Sequence, residues 1–284
     1  MIEFNPGLIM IFGGILVPFV HGRLRPILLL ALPITGLAYT LGLEHGTSTY
    51  LTLFDYTLEV LRVDKLTLVW GYIFHIAAFL GVLYAIHEGD RLQSATAQIY
   101  MGSAIAAVFA GDLITLFVFW ELTAISSVFL IWASKTERAF HAGMRYLIIQ
   151  IGSGVLLLAG TIILFSNTGS IAFNHIGIDS LGVKIIFLAF GTKCAFPLLH
   201  NWLQDAYPEA TITGTVILSA FTTKLAVYSL ARSYAGTDLL IMIGAIMTAF
   251  PIFYAVIEND LRRVLAYSLN NQLGFMVVGI GVGT

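Results

Sequence analysis

Three ionisable side chains stand in segments too apolar to keep them hydrated: Glu121, Lys193 and Lys224. An ionisable group at bilayer depth costs about 2.5–3.5 kcal/mol on insertion scales, so it persists where it is paired, watered or useful. Glu121 lies in Leu116-Phe-Val-Phe-Trp120-Glu121-Leu122, and Thr115, Thr123, Ser126 and Ser127 add hydroxyls to the same stretch. A helix facing lipid all round would not carry that polar set. Two readings stay open for Glu121: a protonated acid hydrogen-bonded to a neighbouring helix, or a carboxylate paired with a lysine on another helix. Asp112 falls at the junction before this stretch and reads as an interfacial, supporting polar group.

Lys193 lies in Phe190-Gly-Thr-Lys193-Cys194-Ala-Phe-Pro197-Leu-Leu-His200-Asn-Trp202. A proline inside a helix removes its own N–H bond and crowds the carbonyl four residues back, which here is that of Lys193. The helix is therefore expected to break at Pro197 and free that carbonyl, a device that places irregular backbone beside a mid-membrane site. His200 follows one heptad later, on roughly the same face and about 10 Å along the axis. With an ordinary pKa near 6.5 a histidine there can pass protons; capping the helix end is the equal alternative. Lys224, Tyr228 and Arg232 recur at four-residue intervals as one polar stripe on an apolar helix. Arg232 can snorkel to the interface, whereas Lys224 sits about twelve residues in, too deep to do so easily.

Burial disfavours the charged form of an acid or an amine, and an opposite charge nearby restores it. A buried Lys–Glu pair is thus a two-position switch, and chains of such groups form proton relays. The relay expected here consists of Glu121, Lys193, Lys224 and His200. No cofactor is expected, because the sequence has no haem-ligand pair, nucleotide-binding loop or metal-ligand cluster. Its single cysteine, Cys194, excludes disulfide frameworks and iron–sulfur clusters. The chain is expected to move ions without covalent chemistry of its own.

The elements that must position these groups follow from composition. The 284 residues are 58% hydrophobic and 11% charged, against roughly 25% charged in soluble proteins. That balance excludes a soluble globular enzyme, a disordered chain and a nucleic-acid binder. What remains is an all-α, polytopic membrane protein of about ten spans: 6–20, 26–43, 66–86, 95–111, 113–133, 143–165, 183–200, 212–233, 238–257 and 264–283. Between Glu44 and Lys65 a short amphipathic or hairpin-like cap is expected, and 166–179 reads as an ordinary outer loop. With the N-terminus outside, Arg23, Arg25, Arg91, Lys135, Arg138, Arg145, Arg262 and Arg263 fall inside and Arg62, Lys65, Lys184 and Arg232 outside, as the positive-inside rule requires.

The run Lys193-Cys-Ala-Phe-Pro197-Leu-Leu-His200-Asn-Trp202-Leu-Gln-Asp205-Ala-Tyr-Pro-Glu209-Ala, followed by Lys224 and Tyr228, resembles the proton-conducting antiporter-like membrane subunits. That family is shared by respiratory complex I, the Mrp cation/proton antiporters and membrane-bound hydrogenases. Trp120-Glu121 resembles its fifth-helix pair, and Asp260-Leu-Arg-Arg-Val-Leu-Ala-Tyr-Ser268 its tenth-helix opening. Ser219–Tyr228 and Glu258-Asn-Asp260 resemble the D-type Mrp subunits in particular. Gln204 and Thr211 replace prolines frequent in complex I members, and Ser268-Leu-Asn-Asn271 departs from the family pattern.

The resemblance implies a first five-helix repeat over 95–235, preceded by three helices over 1–94 and followed by the start of a second, inverted repeat over 236–284. Family members usually have about fourteen helices, so the reading is of a truncated or split frame lacking the twelfth-helix charge. The implied function is proton movement in a multisubunit sodium/proton antiporter of a bacterial inner membrane, with other membrane subunits, protons, sodium ions and lipid as partners. A complex I-type or hydrogenase proton-translocating subunit, or a non-conducting scaffold, are the alternatives.

Overall fold

The computed structural model describes residues 3–54 and 56–283. Eleven α-helices and one hairpin follow in order: α1 (Gly7–Leu16), α2 (Leu24–Leu41), β1 (Ser48–Leu53), β2 (Tyr56–Arg62), α3 (Lys65–Tyr84), α4 (Arg91–Val108), α5 (Leu113–Trp132), α6 (Glu137–Thr168), α7 (Leu181–Lys193), α8 (Asn201–Ala206), α9 (Ile212–Ser233), α10 (Asp238–Ile257) and α11 (Leu261–Val282). Six of them, α2, α3, α5, α6, α9 and α10, are long and apolar enough to cross a membrane on their own. Helices α4 and α11 are as long but less apolar, and α1 and α7 are shorter. The protein is a multi-pass membrane protein, and the all-α expectation is corrected only by the hairpin, which supplies the cap anticipated between Glu44 and Lys65.

Helix starts are fixed by side chains that accept the unpaired N–H groups of the first turn. Asp64, Asp90, Asp112, Thr136, Thr211 and Asp260 cap α3, α4, α5, α6, α9 and α11. Asp64 and Thr67 form a reciprocal capping box. Helix α6 is longer at both ends than the 143–165 span, because Thr136 starts it early and Gly169, in the left-handed conformation, stops it late.

Helix α4, rich in Ala, Gly and Ser, is buried along most of its length between α1, α3, α5 and α9. Small residues let helix backbones approach closely where lipid offers no hydrophobic drive. Helices α1 and α4 cross at Gly7 and Gly102, α6 and α7 at Gly160 and Gly182, and α10 and α11 at Gly244 and Gly274; a Cβ at any of the six would strike opposing backbone.

The two ends of the bundle differ. One end carries the β1–β2 hairpin, antiparallel with a register shift at Thr49/Tyr50. It is tied down by Arg62 N–H to the Phe109 carbonyl and Gly111 N–H to the Glu59 carbonyl. The 169–180 loop lies against it, with Leu113 N–H bonded to the Ile171 carbonyl and Phe173 fully buried, so this loop is packed into the structure. The opposite end collects Arg25 on the carbonyls of Glu88, Gly89 and Asp90, Lys135 with Asp90, Arg138 with Glu209, and Arg145 with Asp205.

Candidate functional site

Helix α7 stops at Lys193 and the chain does not resume helix until Asn201. Pro197 cannot donate to the Lys193 carbonyl, and Ala195 and Leu198 take left-handed backbone angles, φ 61° and 71°. Such conformations cost an L-residue roughly 1–2 kcal/mol each. The Trp202 indole closes the break by donating to the Thr192 carbonyl at 3.0 Å.

The break leaves Lys193 as the last residue of α7, fully buried. Its ammonium donates to the Trp120 carbonyl at 3.1 Å and the Thr123 hydroxyl at 2.8 Å, and lies 4.1 Å from the centre of the Trp120 ring. Neutral oxygens and a π face therefore hold it. Glu121 is the adjacent carboxyl, but its oxygens are more than 4.0 Å from the ammonium and make no ion pair with it. Its Oε1 is buried without a hydrogen-bond partner among the described residues. That oxygen occupies the space left by Gly154 on α6, where a Cβ would overlap it. Next to it, Ser153 accepts the Trp120 indole N–H at 3.0 Å. The direct Glu–Lys pair is thus replaced by an arrangement in which both groups border the Trp120 backbone.

Lys224, on α9, reaches back to donate to the Ser219 carbonyl at 2.9 Å. Its helix packs against α7, which carries Lys193. Ser219 also lines a crevice between α9 and α11 with Thr215, Arg262, Ser268 and Gln272. Arg262 closes the rim by donating to the Ala210 carbonyl and the Thr215 hydroxyl.

Three expectations need correction. His200 does not share a face with Lys193, because the two left-handed residues between them destroy the helical register. It packs its ring 4.6 Å from that of Phe250 on α10, leaves Nδ1 without a partner among the described residues, and makes no capping bond although it precedes α8. The Lys224–Tyr228–Arg232 stripe is not one hydrogen-bonded run: the Lys224 ammonium bonds back toward Ser219, while Tyr228 and Arg232 bond each other. Tyr228 donates to the Val108 carbonyl and accepts from Arg232 Nε at 2.8 Å. Nor does Arg232 snorkel: its Nη1 and Nη2 donate to Asp64 at 2.8 and 3.0 Å, and its side chain is only 8% exposed. Burial alone would raise the Asp64 carboxyl; hydrogen bonds from Arg232 and Thr67 and the charges of Arg232 and Arg62 outweigh it and hold it below the usual range.

Asp112 is a structural group. It caps α5 through the N–H groups of Ile114 and Thr115 at 2.9 and 2.7 Å, accepts the Thr115 hydroxyl, and accepts Glu59 N–H from the hairpin at 2.7 Å.

Residues that sequence reasoning missed sit mostly on α6. Tyr146, Gln150 and Ser153 recur at three- and four-residue spacing on its buried face, a polar stripe legible in the sequence. Tyr146 bridges the Ser127 hydroxyl at 2.9 Å and the Thr222 hydroxyl at 3.5 Å, and Thr222 bonds Tyr100 at 2.6 Å. The Gln150 amide is fully buried, with neither end partnered among the described residues. The Asp64–Arg232 contact joins residues 168 apart, and no periodicity announces it.

With this geometry in place, residues 110–284 match the family model described as NADH:quinone oxidoreductase/Mrp antiporter, TM. Hydrogenase-4 component B of Escherichia coli (strain K12) is 24% identical, the match covering 81% of this chain and 38% of that protein. The A-type Na(+)/H(+) antiporter subunit of Alkalihalophilus pseudofirmus is 27% identical, covering 95% of this chain and 38% of that one. The fold superposes on a chain of the Mrp complex from Dietzia sp. DQ12-45-1b with a TM-score of 0.87 at 24% identity, covering 98% of this chain and 34% of that one. The chain therefore spans less than half the length of these relatives. The antiporter relative is of the A type, whereas Ser219–Tyr228 and Glu258-Asn-Asp260 resemble the D type.

Proposed function

This chain belongs to the NADH:quinone oxidoreductase/Mrp antiporter family of membrane proteins, and from that premise we infer that it serves as a membrane subunit of a sodium/proton antiporter. Protons move through Glu121, Lys193 and Lys224, within a five-helix unit made of α4, α5, α6, α7 with α8, and α9. The observation that carries this reading is the Lys193 ammonium. It is fully buried, held by the Trp120 carbonyl and the Thr123 hydroxyl, and free of carboxylate contact among the described residues. A charge bound by neutral oxygens can be lost and regained without breaking an ion pair. Glu121, with one oxygen unpartnered on the other side of Trp120, is the acid that can exchange with it. Lys224, on the neighbouring α9, receives the charge next.

The N-terminus lies outside a bacterial cell membrane in this reading, so that the arginine-rich end faces the cytoplasm. Other membrane subunits complete the assembly. A second reading, a proton-translocating subunit of a hydrogenase or a complex I-type oxidoreductase, is favoured by the similarity to hydrogenase-4 component B.

The test is exchange in everted vesicles from a host without sodium/proton exchangers, with the chain expressed alone and with partner subunits. Lys224→Ala and Glu121→Gln are each expected to reduce sodium-driven proton movement at least about tenfold. Exchange that survives both substitutions overturns the reading, and proton movement that needs a reductant but no sodium transfers it to the oxidoreductase class.

A further inference from the structure

The hairpin end of α9 is closed by groups that the relay does not use. Tyr228 lies one turn beyond Lys224 and Arg232 a second turn beyond that, about 12 Å from Lys224 along the axis. Every nitrogen of the Arg232 guanidinium is engaged: Nη1 and Nη2 on Asp64, the cap of α3, and Nε on the Tyr228 hydroxyl. Tyr228 in turn donates to the Val108 carbonyl at the end of α4 and packs edge-on against Trp70 and Phe173. The guanidinium carbon stands 5.6 Å from the Phe173 ring centre and 5.2 Å from that of Tyr228.

Arg62 seals the neighbouring seam. It donates to the carbonyls of Gly111 and Phe173 and to Asn174, with its Nε 3.6 Å from Asp64. The loop strand behind it is held by Ile176 N–H on the Ser233 carbonyl. Glu59 and Asp112, the other nearby acids, are committed to Ser48 and to the α5 cap.

We propose that Arg232, clamped between Asp64 and Tyr228, is a cationic stopper that prevents a proton on Lys224 from leaving along α9 to the hairpin end. This rests on the reading of Lys224 as a proton carrier. A proton leaving Lys224 in that direction meets the Tyr228 hydroxyl, whose hydrogen is committed to Val108. Beyond it stands a guanidinium that holds its own proton throughout the working pH range and repels another, as fixed cations exclude protons from narrow pores. The charge must therefore leave α9 sideways or return the way it came, and the half of the membrane between Lys224 and the hairpin stays tight without a moving gate. Arg232 does not carry the proton in this scheme; it acts on direction.

The experiment measures proton leak into liposomes of phosphatidylethanolamine and phosphatidylglycerol containing the purified chain, driven by a potassium diffusion potential and read with an entrapped pH dye. Neutralising both members of the pair, Asp64→Asn with Arg232→Gln, avoids leaving one charge buried alone. It is expected to raise the leak about tenfold, and adding Lys224→Ala is expected to return it to the wild-type level. Arg232→Lys keeps the charge beside Asp64 and is expected to remain tight. Tyr228→Phe, a milder second probe that keeps the ring, is expected to leak about threefold more than wild type through loss of one hydrogen bond to Arg232.

The stopper is overturned if the neutralised pair, with wild-type helicity and a cooperative melt, leaks no more than wild type, or if its leak survives Lys224→Ala. Should the neutralised pair fail to fold, a tight Tyr228→Phe overturns it equally. Sodium/proton exchange measured in parallel separates the two readings: exchange with a tight variant removes the stopper alone, and a Lys224-dependent leak without exchange removes the sodium reading alone.

Discussion

The hairpin end and the middle of the bundle both bury charge, and they treat it in opposite ways. At the hairpin end Arg232, Asp64 and Asp112 have partners for their charged atoms. In the middle, Lys193 and Lys224 rest on neutral oxygens, and among the described residues Glu121 Oε1 and both ends of the Gln150 amide lack partners. Buried polar groups are ordinarily satisfied, because each unmade bond costs on the order of 1–3 kcal/mol. The partnered charges of Arg232, Asp64 and Asp112 mark the hairpin end as a fastening. The unmet demand in the middle marks groups that exchange partners.

That contrast predicts where substitutions act. The largest stability effect is expected from Arg232→Leu, which leaves Asp64 part-buried with only the 3.6 Å Arg62 contact and the Thr67 N–H; thermal unfolding in detergent should show a loss of about 2 kcal/mol, discounted for the solvent that reaches the carboxylate. Lys193→Leu is expected to change stability by less than about 1 kcal/mol, or to increase it, since it removes an unpaired buried charge. Equal losses at the two sites would erase the distinction between fastening and exchange.

A middle-sized effect is expected from Gly154→Ala. Its Cβ must displace the Glu121 carboxyl, at a stability cost of about 1 kcal/mol. Proton exchange is expected to fall further than that cost explains, by a fewfold, and unchanged exchange would show that the position of Glu121 against α6 does not matter. The smallest effect is in acid. Asp64 titrates below its ordinary value, near 3.9, when folded. Its contribution is therefore complete above about pH 4 and is lost as pH falls through the lower folded value. Melting temperature should drop less steeply between about pH 4 and 2 in Asp64→Asn than in wild type, and parallel curves would contradict this.

Much of this was legible in the residues. Apolar runs place most of the helices to within a few residues, though α6 begins six residues before its span and α7 ends seven residues before the end of its own, and Pro197 locates the break at Lys193. Arg25, Lys135, Arg138 and Arg145 also gather at one end of the bundle and Arg62 and Arg232 at the other. What escaped is what depends on three dimensions. Periodicity cannot pass through Ala195 and Leu198, so His200 turned to Phe250 instead of Lys193. One open reading paired the Glu121 carboxylate with a lysine on another helix, but side-chain direction brought the nearby Lys193 ammonium to the Trp120 carbonyl. Arg232 looked free to snorkel because its partner lies 168 residues away in the chain.

The early end of α7 has an electrostatic consequence. Peptide dipoles aligned along a helix leave about half a negative charge at its last carbonyls, worth roughly 0.3–1 kcal/mol to a cation there and up to about 2 in part-buried settings. Because α7 terminates at Lys193, the lysine sits on that negative pole at depth within the bundle. The backbone thus supplies a fixed counter-charge that cannot be protonated away. An unbroken helix would have moved that pole to the membrane surface and left the ammonium with none.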